Sequence, residues 1–498
     1  MAVMAILSYH SSMDLKQKLT ATHFYKFFQC PHWIWYDIYA DSARKKAVSP
    51  LLDIIYNGKS VDGASAIRSH KKFEELKPEQ YRDLEEAYLA TLELMRQGKN
   101  IYHGVLMTED WVGMPDLLEA RPGKSDLGDF QYVAYDIQRT LDLKEEQKFP
   151  LVFYSLILEK IQGVRPAEAY VIDPQGAERG FPVADFVDQF HIVKGDIERI
   201  LNGEKPAPFL KSTCKRTPWY SLCLEGAEGC NDISLIYRLS QADQRRLYSL
   251  GIHTVTDLAK ADGDVLRGQL EDWQYDKIVR FQNQARVLLE GSPFVLRKTA
   301  FPEVATEVYF DIESDPTRGV DYLFGMLIRD TATGKVTYEH ILAESPDHEA
   351  AAWGKFLDKL AGWEDFAIFH YAFYEKMVFD RLALRYGAPS QLTQKFHEHS
   401  VDLHQKTIDS VVLPLYFYTL KDVAKYLGYA WDDPDAGGAE SVGWYDQWLR
   451  TGDRESLDRV VRYNEDDVRA TMLLRDWLAS QKPSKKKEKL DDGALDVE

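Results

Sequence analysis

Between Val308 and Ser314 an apolar, β-branched and aromatic run, Val308-Tyr-Phe-Asp-Ile-Glu-Ser314, carries two acids two residues apart. The run predicts a β-strand. Residues i and i+2 of a strand point to one face, so Asp311 and Glu313 project together. Downstream come apolar runs over Tyr322–Ile328 and Val336–Leu342, a helical period over His348–Leu360 and a further apolar run, Phe366–His370. The pattern predicts three strands, a helix and a fourth strand, with another helix opening at Tyr374-Glu375. Later, Tyr463-Asn-Glu-Asp-Asp467 lies on a helix through Arg469, Ala470 and Leu473, where the four-residue spacing puts Tyr463 and Asp467 on one face. Upstream, Leu247–Leu258 has a helix, glycine-turn, helix pattern with Leu250-Gly251-Ile252 at the turn. An amphipathic helix with Ile278, Phe281, Ala285 and Leu288 on one side then runs to Gly291-Ser-Pro293, a break that predicts a domain boundary.

Two acids side by side repel each other and are costly to bury, so the Asp-x-Glu pair makes most sense around a divalent cation. The other reading is a strand edge with solvated acids. Glu375 adds an acid at a strand-to-helix junction. The helix turn around Gly251 can hold a phosphate on its backbone N–H groups, and it can equally be an ordinary helical hairpin.

The order of acids resembles the DEDDy exonucleases of the RNase H-like superfamily, with Asp-x-Glu on a first strand, an acid after a fourth strand and Tyr-x-x-x-Asp on a late helix, over residues 303 to 478. The resemblance implies that Asp311, Glu313, Glu375 and Asp467 hold two Mg²⁺ or Mn²⁺ ions, about 4 Å apart in such sites, which activate water and stabilise the leaving oxygen. Tyr463 would orient that water. The sequence departs from the family at Glu375, where the motif usually ends in Asp; Asp380 is the substitute nearby. Tyr418-Thr-Leu-Lys-Asp-Val-Ala-Lys-Tyr-Leu-Gly428 is similar to a Ser-Leu-Lys-x-Val-x-x-x-Leu-Gly stretch of the superfamily, which supports the fold and assigns no catalytic role. Asp402, in Val-Asp-Leu-His, reads as structural.

At 498 residues the chain is too long for one ordinary core and predicts two to four domains. Its 79 acids against 61 bases, a net charge of −18, argue against a protein that coats nucleic acid over its whole surface, while leaving room for a local basic channel. No apolar run reaches the roughly 18 residues that span a membrane. Met1–Leu7 is too short for a signal peptide and has no basic flank, so a cytoplasmic location is the default. The lysine-rich tail from Lys482 reads as a solvated, disordered end.

The cysteines are few and unevenly placed: Cys30 stands alone, while Cys214, Cys223 and Cys230 fall in a short segment poor in periodic apolar residues. Four thiolates suit an iron–sulfur cluster or zinc, and unligated thiols are the third reading. The spacing resembles the iron–sulfur staple of RecB/AddB-type nucleases. That resemblance extends to Phe24–Tyr39 around Cys30-Pro-His, and to Gly113-Met-Pro-Asp116 with Tyr135-Asp-Ile-Gln138, which look like the core of a PD-(D/E)XK nuclease. Such a site uses two acids and a lysine. Asp116 and Asp136 match the acids, but the lysine position is Gln138, with only Arg139 or Lys144 nearby. Pro150 stands where a glutamine normally precedes a tyrosine, here Tyr154, and upstream only Asp62 matches an expected His or Glu. The N-terminal site therefore reads as degenerate. Gly-Lys-Ser occurs at 58–60 and 123–125, but Asp53 and Leu118 stand where a P-loop needs glycine, so unwinding would fall to a separate helicase.

Together the parts resemble RecB-like nucleases that fuse an iron–sulfur PD-(D/E)XK domain to a DEDDy RNase H-like exonuclease domain. The expectation is an α/β protein of two nuclease-like domains joined by a small helix-hairpin-helix-like segment. Its parts would be 1–235, 236–295 and 300–480, with a tail at 481–498. The resemblance implies a [4Fe-4S] cluster, Mg²⁺ or Mn²⁺, and 3′-5′ exonuclease action on DNA in repair or processing. An exoribonuclease and an inactive nucleic-acid-binding scaffold are the alternatives.

Overall fold

A computed structural model describes residues 18–47, 72–77, 81, 83–137, 147–173, 177–434 and 436–484. The chain is an α/β protein of two compact units, one formed mainly by residues up to Leu222 and the other mainly by those that follow. Met1–Leu7, the Gly-Lys-Ser at 58–60, Asp62, Gln138, Arg139, Lys144 and the tail from residue 485 lie outside the described residues.

In the N-terminal unit a six-stranded sheet runs in the order Glu74–Glu75, Ile101–Tyr102, Leu117–Ser125, Gly128–Ile137, Glu168–Ile172, Glu178–Pro182. The two long strands pair antiparallel, and Gly128–Ile137 pairs parallel with Glu168–Ile172 across the helix Lys148–Gln162. That crossover helix is apolar on most sides and therefore buried. Its Phe153 packs with Phe24 of the helix Ala21–Gln29 and Phe190 of the helix Ala184–Leu201, the last two stacked at 4.8 Å between ring centroids. Cys30 ends Ala21–Gln29 and begins Pro31–Tyr39. Pro31 takes the first helical position, where a missing N–H is tolerated, so the chain breaks at the cysteine and buries it.

In the C-terminal unit four strands lie where the apolar pattern puts them, β1 (Thr306–Asp315), β2 (Val320–Asp330), β3 (Val336–Leu342) and β4 (Phe366–His370), and a short β5 (Ser400–Asp402), which the pattern did not mark, follows. The helices that bear on the site are α1 (Glu349–Gly362), α2 (Tyr374–Tyr386), α3 (Leu420–Tyr426), α4 (Gly438–Thr451) and α5 (Arg454–Ser480). The sheet order is β3-β2-β1-β4-β5, antiparallel across the first three strands and parallel from β1 through β4 to β5. Along β1 the side chains alternate. Val308, Phe310 and Ile312 enter a core shared with Trp353 and Phe356 of α1. Tyr309, Asp311 and Glu313 take the opposite face, where Tyr309 packs in a cluster with Val468, Leu474 and Leu478 of α5. The two acids thus face the helix that carries Asp467.

The stretch read as a separate connector packs into this unit. Gln284 Nε2 donates to the Leu413 and Leu415 carbonyls at 2.8 and 3.1 Å, Tyr237 stacks on Tyr418 at 4.2 Å, and Phe294–Val295 pairs with Val411–Val412. Gly291-Ser-Pro293 ends a helix without ending a compact unit. Gly251 makes the helix turn with a φ of +78°, a conformation that favours glycine.

Candidate active site

Ligand oxygens of Asp311, Glu313 and Asp467 all lie within 4.8 Å of one another. β1 supplies two of them by its two-residue alternation, and a register irregularity follows directly at Glu313/Ser314. α5 supplies the third from a buried stripe, Val460, Asn464, Asp467, Thr471, Leu474 and Leu478, at helical spacing.

Each carboxylate is held by hydrogen bonds from neighbouring side chains. Asn464 Nδ2 donates to Asp311 Oδ2 at 2.7 Å, and Tyr338 of β3 donates to Asn464 Oδ1 at 2.9 Å. Glu313 is hydrogen-bonded by Ser441 of α4 and by Asn464. Trp431 Nε1 donates to Asp467 Oδ1 at 2.7 Å, and the Tyr463 hydroxyl bonds to the same carboxyl. Gly325 on β2 faces Asp311 across the ladder, and the Asn464 amide occupies the space that a side chain there would need.

Like charges about 4 Å apart repel by roughly 4 kcal/mol even at an effective dielectric near 20, a large share of a domain's whole stability. Without a counter-charge the site therefore favours the protonated forms. Burial, then the neighbouring Asp467 and Glu375 carboxylates, push Asp311 well above the usual carboxyl range. Burial, then Asp311 and Asp467, do the same to Glu313. Burial carries Asp467 up to about 6, and carries Glu375, with Asp402 adding, up to about 8. Carboxyls whose charged forms are disfavoured by burial and by one another are the electrostatic complement of a divalent cation, whose binding would displace protons. The all-oxygen donor set fits Mg²⁺ or Mn²⁺.

Residues 308–479 match the family model of the RNase H superfamily. The C-terminal part of the chain is an RNase H-like domain. No curated protein matches the chain.

Glu375 opens α2 of the RNase H-like domain and is buried. It shares a hydrogen bond with Asp311, and its Oε2 lies 3.4 Å from Nδ1 of the buried His370. It stands beside the group of three carboxylates rather than within it. Asp380 is exposed and pairs with His397 at 2.8 Å, so it does not substitute for Glu375. Asp402 caps a helix, accepting from the His404 and Gln405 N–H groups, in keeping with a structural reading.

Asn464, Trp431, Ser441 and Lys421 complete the surroundings of the acids and were not singled out as site residues by the sequence. Asn464 left a signal, an amide four residues after Val460 and three before Asp467 within the buried stripe, and Lys421 lay in the Tyr418–Gly428 stretch that was read for the fold alone.

Elsewhere, Asp116 Oδ2 accepts the Ile137 N–H at 2.8 Å. Asp136 lies on the neighbouring strand, and both acids act electrostatically on the buried Tyr154, whose hydroxyl burial already holds in its neutral form. Gly123–Ser125 belongs to the strand Leu117–Ser125. Cys30 and Cys214 are buried in the N-terminal unit, where buried thiols are the soft donors that a thiolate-bound metal or cluster takes; Cys223 is also buried. Cys230 is exposed, its Sγ 3.1 Å from the Gly226 carbonyl. At the helix turn, Leu250 and Gly251 end the first helix and Ile252 is buried, while Thr254 caps the next helix, Val255–Lys260. No helix among the described residues is long and apolar enough to cross a membrane.

Proposed function

We propose that the protein is a metal-dependent nuclease that hydrolyses DNA from a free 3′ end at the Asp311, Glu313, Glu375 and Asp467 site, in repair or processing of DNA ends. The observation that carries this reading is the convergence of carboxylates from β1 and α5 on one point, held there by hydrogen bonds from Asn464, Ser441 and Trp431. Asp311, Glu313 and Asp467, with Glu375 beside them, would hold divalent cations, which supply Lewis-acid stabilisation and an activated water. Asn464 keeps Asp311 turned toward the other acids. Tyr463, which hydrogen-bonds Asp467, would orient the attacking water.

In the same reading the N-terminal unit is a PD-(D/E)XK-like domain whose Asp116 and Asp136 lack a lysine at position 138. Cys30, Cys214, Cys223 and Cys230 would hold a [4Fe-4S] cluster that staples its ends together. The partner is nucleic acid, with a separate helicase opening duplex ends, in the cytoplasm. Incubation with end-labelled single-stranded DNA and RNA, with and without Mn²⁺, tests the function. Mn²⁺-dependent shortening of DNA supports it, shortening of RNA alone moves the substrate class, and no digestion of either strand refutes it.

A further inference from the structure

A site built of acids must still accept a polyanion, and among its neighbours Lys421 is placed to make that possible. Lys421 sits in the first turn of α3, which Thr419 caps by accepting the Asp422 N–H. The helix is anchored by the buried Val423 and Ala424. The Lys421 ammonium lies 5.1 Å from the ring centre of Tyr463 and 5.4 Å from that of Trp431. These are the two side chains that hydrogen-bond Asp467.

Lys421 is half-buried, yet among the described residues its ammonium makes no hydrogen bond or ion pair. By contrast, Lys26 is paired with Asp37 at 2.6 Å, Lys277 with Asp243 at 2.5 Å and Lys194 with Glu198 at 2.6 Å. Burial lowers the proton affinity of Lys421, and Asp467 restores part of it. Asp467 therefore acts on the ammonium through space, against the nearby Lys425, while leaving its three N–H donors uncommitted. A partly desolvated ammonium with free donors gains more from a phosphate than a solvated surface lysine does.

We infer that Lys421 is a phosphate-binding residue of the RNase H-like site, its ammonium donating to a backbone phosphate of the strand beside Asp311, Glu313 and Asp467. The inference rests on the nuclease reading and adds how its substrate is held. The competing role is charge balance alone, in which Lys421 offsets the carboxylates and touches no substrate.

The two roles separate in the salt dependence of binding. Full-length protein, Lys421→Gln and Lys421→Arg are titrated against a fluorescein-labelled oligothymidylate in Ca²⁺ over a range of salt. Mn²⁺ affinity is measured separately by the electron paramagnetic resonance signal of the free ion. Phosphate binding predicts that Lys421→Gln weakens strand binding roughly tenfold and makes the log–log salt slope shallower by about 0.7, the loss of one contact to a single strand. Lys421→Arg should keep the slope. An unchanged slope in Lys421→Gln, with Mn²⁺ affinity shifted, overturns the inference in favour of charge balance. A wild-type chain that binds strands without cutting them in Mn²⁺ sinks the nuclease reading alone, and the slope comparison still decides the role of Lys421.

Discussion

Asn464 lies in the space that Gly325 leaves open: the glycine faces Asp311 across the β1–β2 ladder, and a Cβ there would overlap the Asn464 amide oxygen. The amide cannot simply move aside, because it is held by Tyr338 on one side and Asp311 on the other. Gly325→Ala should therefore cost about 1–3 kcal/mol of stability by overpacking and lower the cleavage rate by displacing Asp311. Melting temperature and Mn²⁺-dependent digestion check both. The double variant Gly325→Ala, Asn464→Ala should regain melting temperature without regaining rate; full activity in Gly325→Ala would show that Asn464 does not position Asp311.

The carboxyl cluster sets a pH dependence with a defined sign. Glu375 is raised from 4.5 to about 8 and Asp467 from 3.8 to about 6, in both cases chiefly by burial. Folding of the metal-free chain therefore takes up protons. The stabilisation is complete below the unfolded pKa values and is lost as pH rises through about 6 and then about 8. In EDTA the melting temperature should fall from pH 5 to pH 8, and the stabilisation by added Mn²⁺ should grow across that window with release of protons. A metal-free melting temperature that rises over that range contradicts this reading of the site.

Protein purified without oxygen should contain iron and sulfide in equal amounts and show broad thiolate-to-iron absorbance. Cys30 lies between two helices that pack into the N-terminal core, so Cys30→Ser should impair folding of that unit rather than cleavage chemistry. Zinc as the sole metal, or a fully stable Cys30→Ser protein without its cluster, would contradict the staple.

Asp116→Ala and Asp136→Ala should leave most nuclease activity in place, since the sequence has glutamine rather than lysine at position 138. Loss of the Asp116 bond to the Ile137 N–H should cost about 1 kcal/mol. Abolished cutting by a folded variant would make the N-terminal site an active one.

The strand order around the acids was legible because the local pattern and the fold agree: β3 and β4 have the limits that their apolar runs mark, and α2 opens at Tyr374. Asp311 and Glu313 stood out because charges within a strand's apolar run need a reason. Ser441 and Trp431 did not, because each reaches the site only through tertiary packing more than 100 residues from β1, and nothing local marks them; Lys421 lay in the Tyr418–Gly428 stretch that pointed to the fold and to no role. The packing of the helical segment was hidden in the same way. The boundary signal at Gly291 and Pro293 is real as a helix end, while the bonds from Gln284 to Leu413 and Leu415 join residues far apart in sequence.

The central claim is that the carboxylates of the RNase H-like domain perform the chemistry. It is tested most directly by digesting a 5′-labelled single strand in Mn²⁺ with the intact chain and with Asp311→Asn, which removes a charge while keeping the shape. The intact chain should release mononucleotides from the 3′ end. Asp311→Asn should bind the strand and cut it slower by several orders of magnitude, and Tyr463→Phe should be slower by roughly 10- to 1000-fold. Undiminished digestion by Asp311→Asn, or cutting of a closed circular single strand, would contradict the account and move the chemistry elsewhere in the chain.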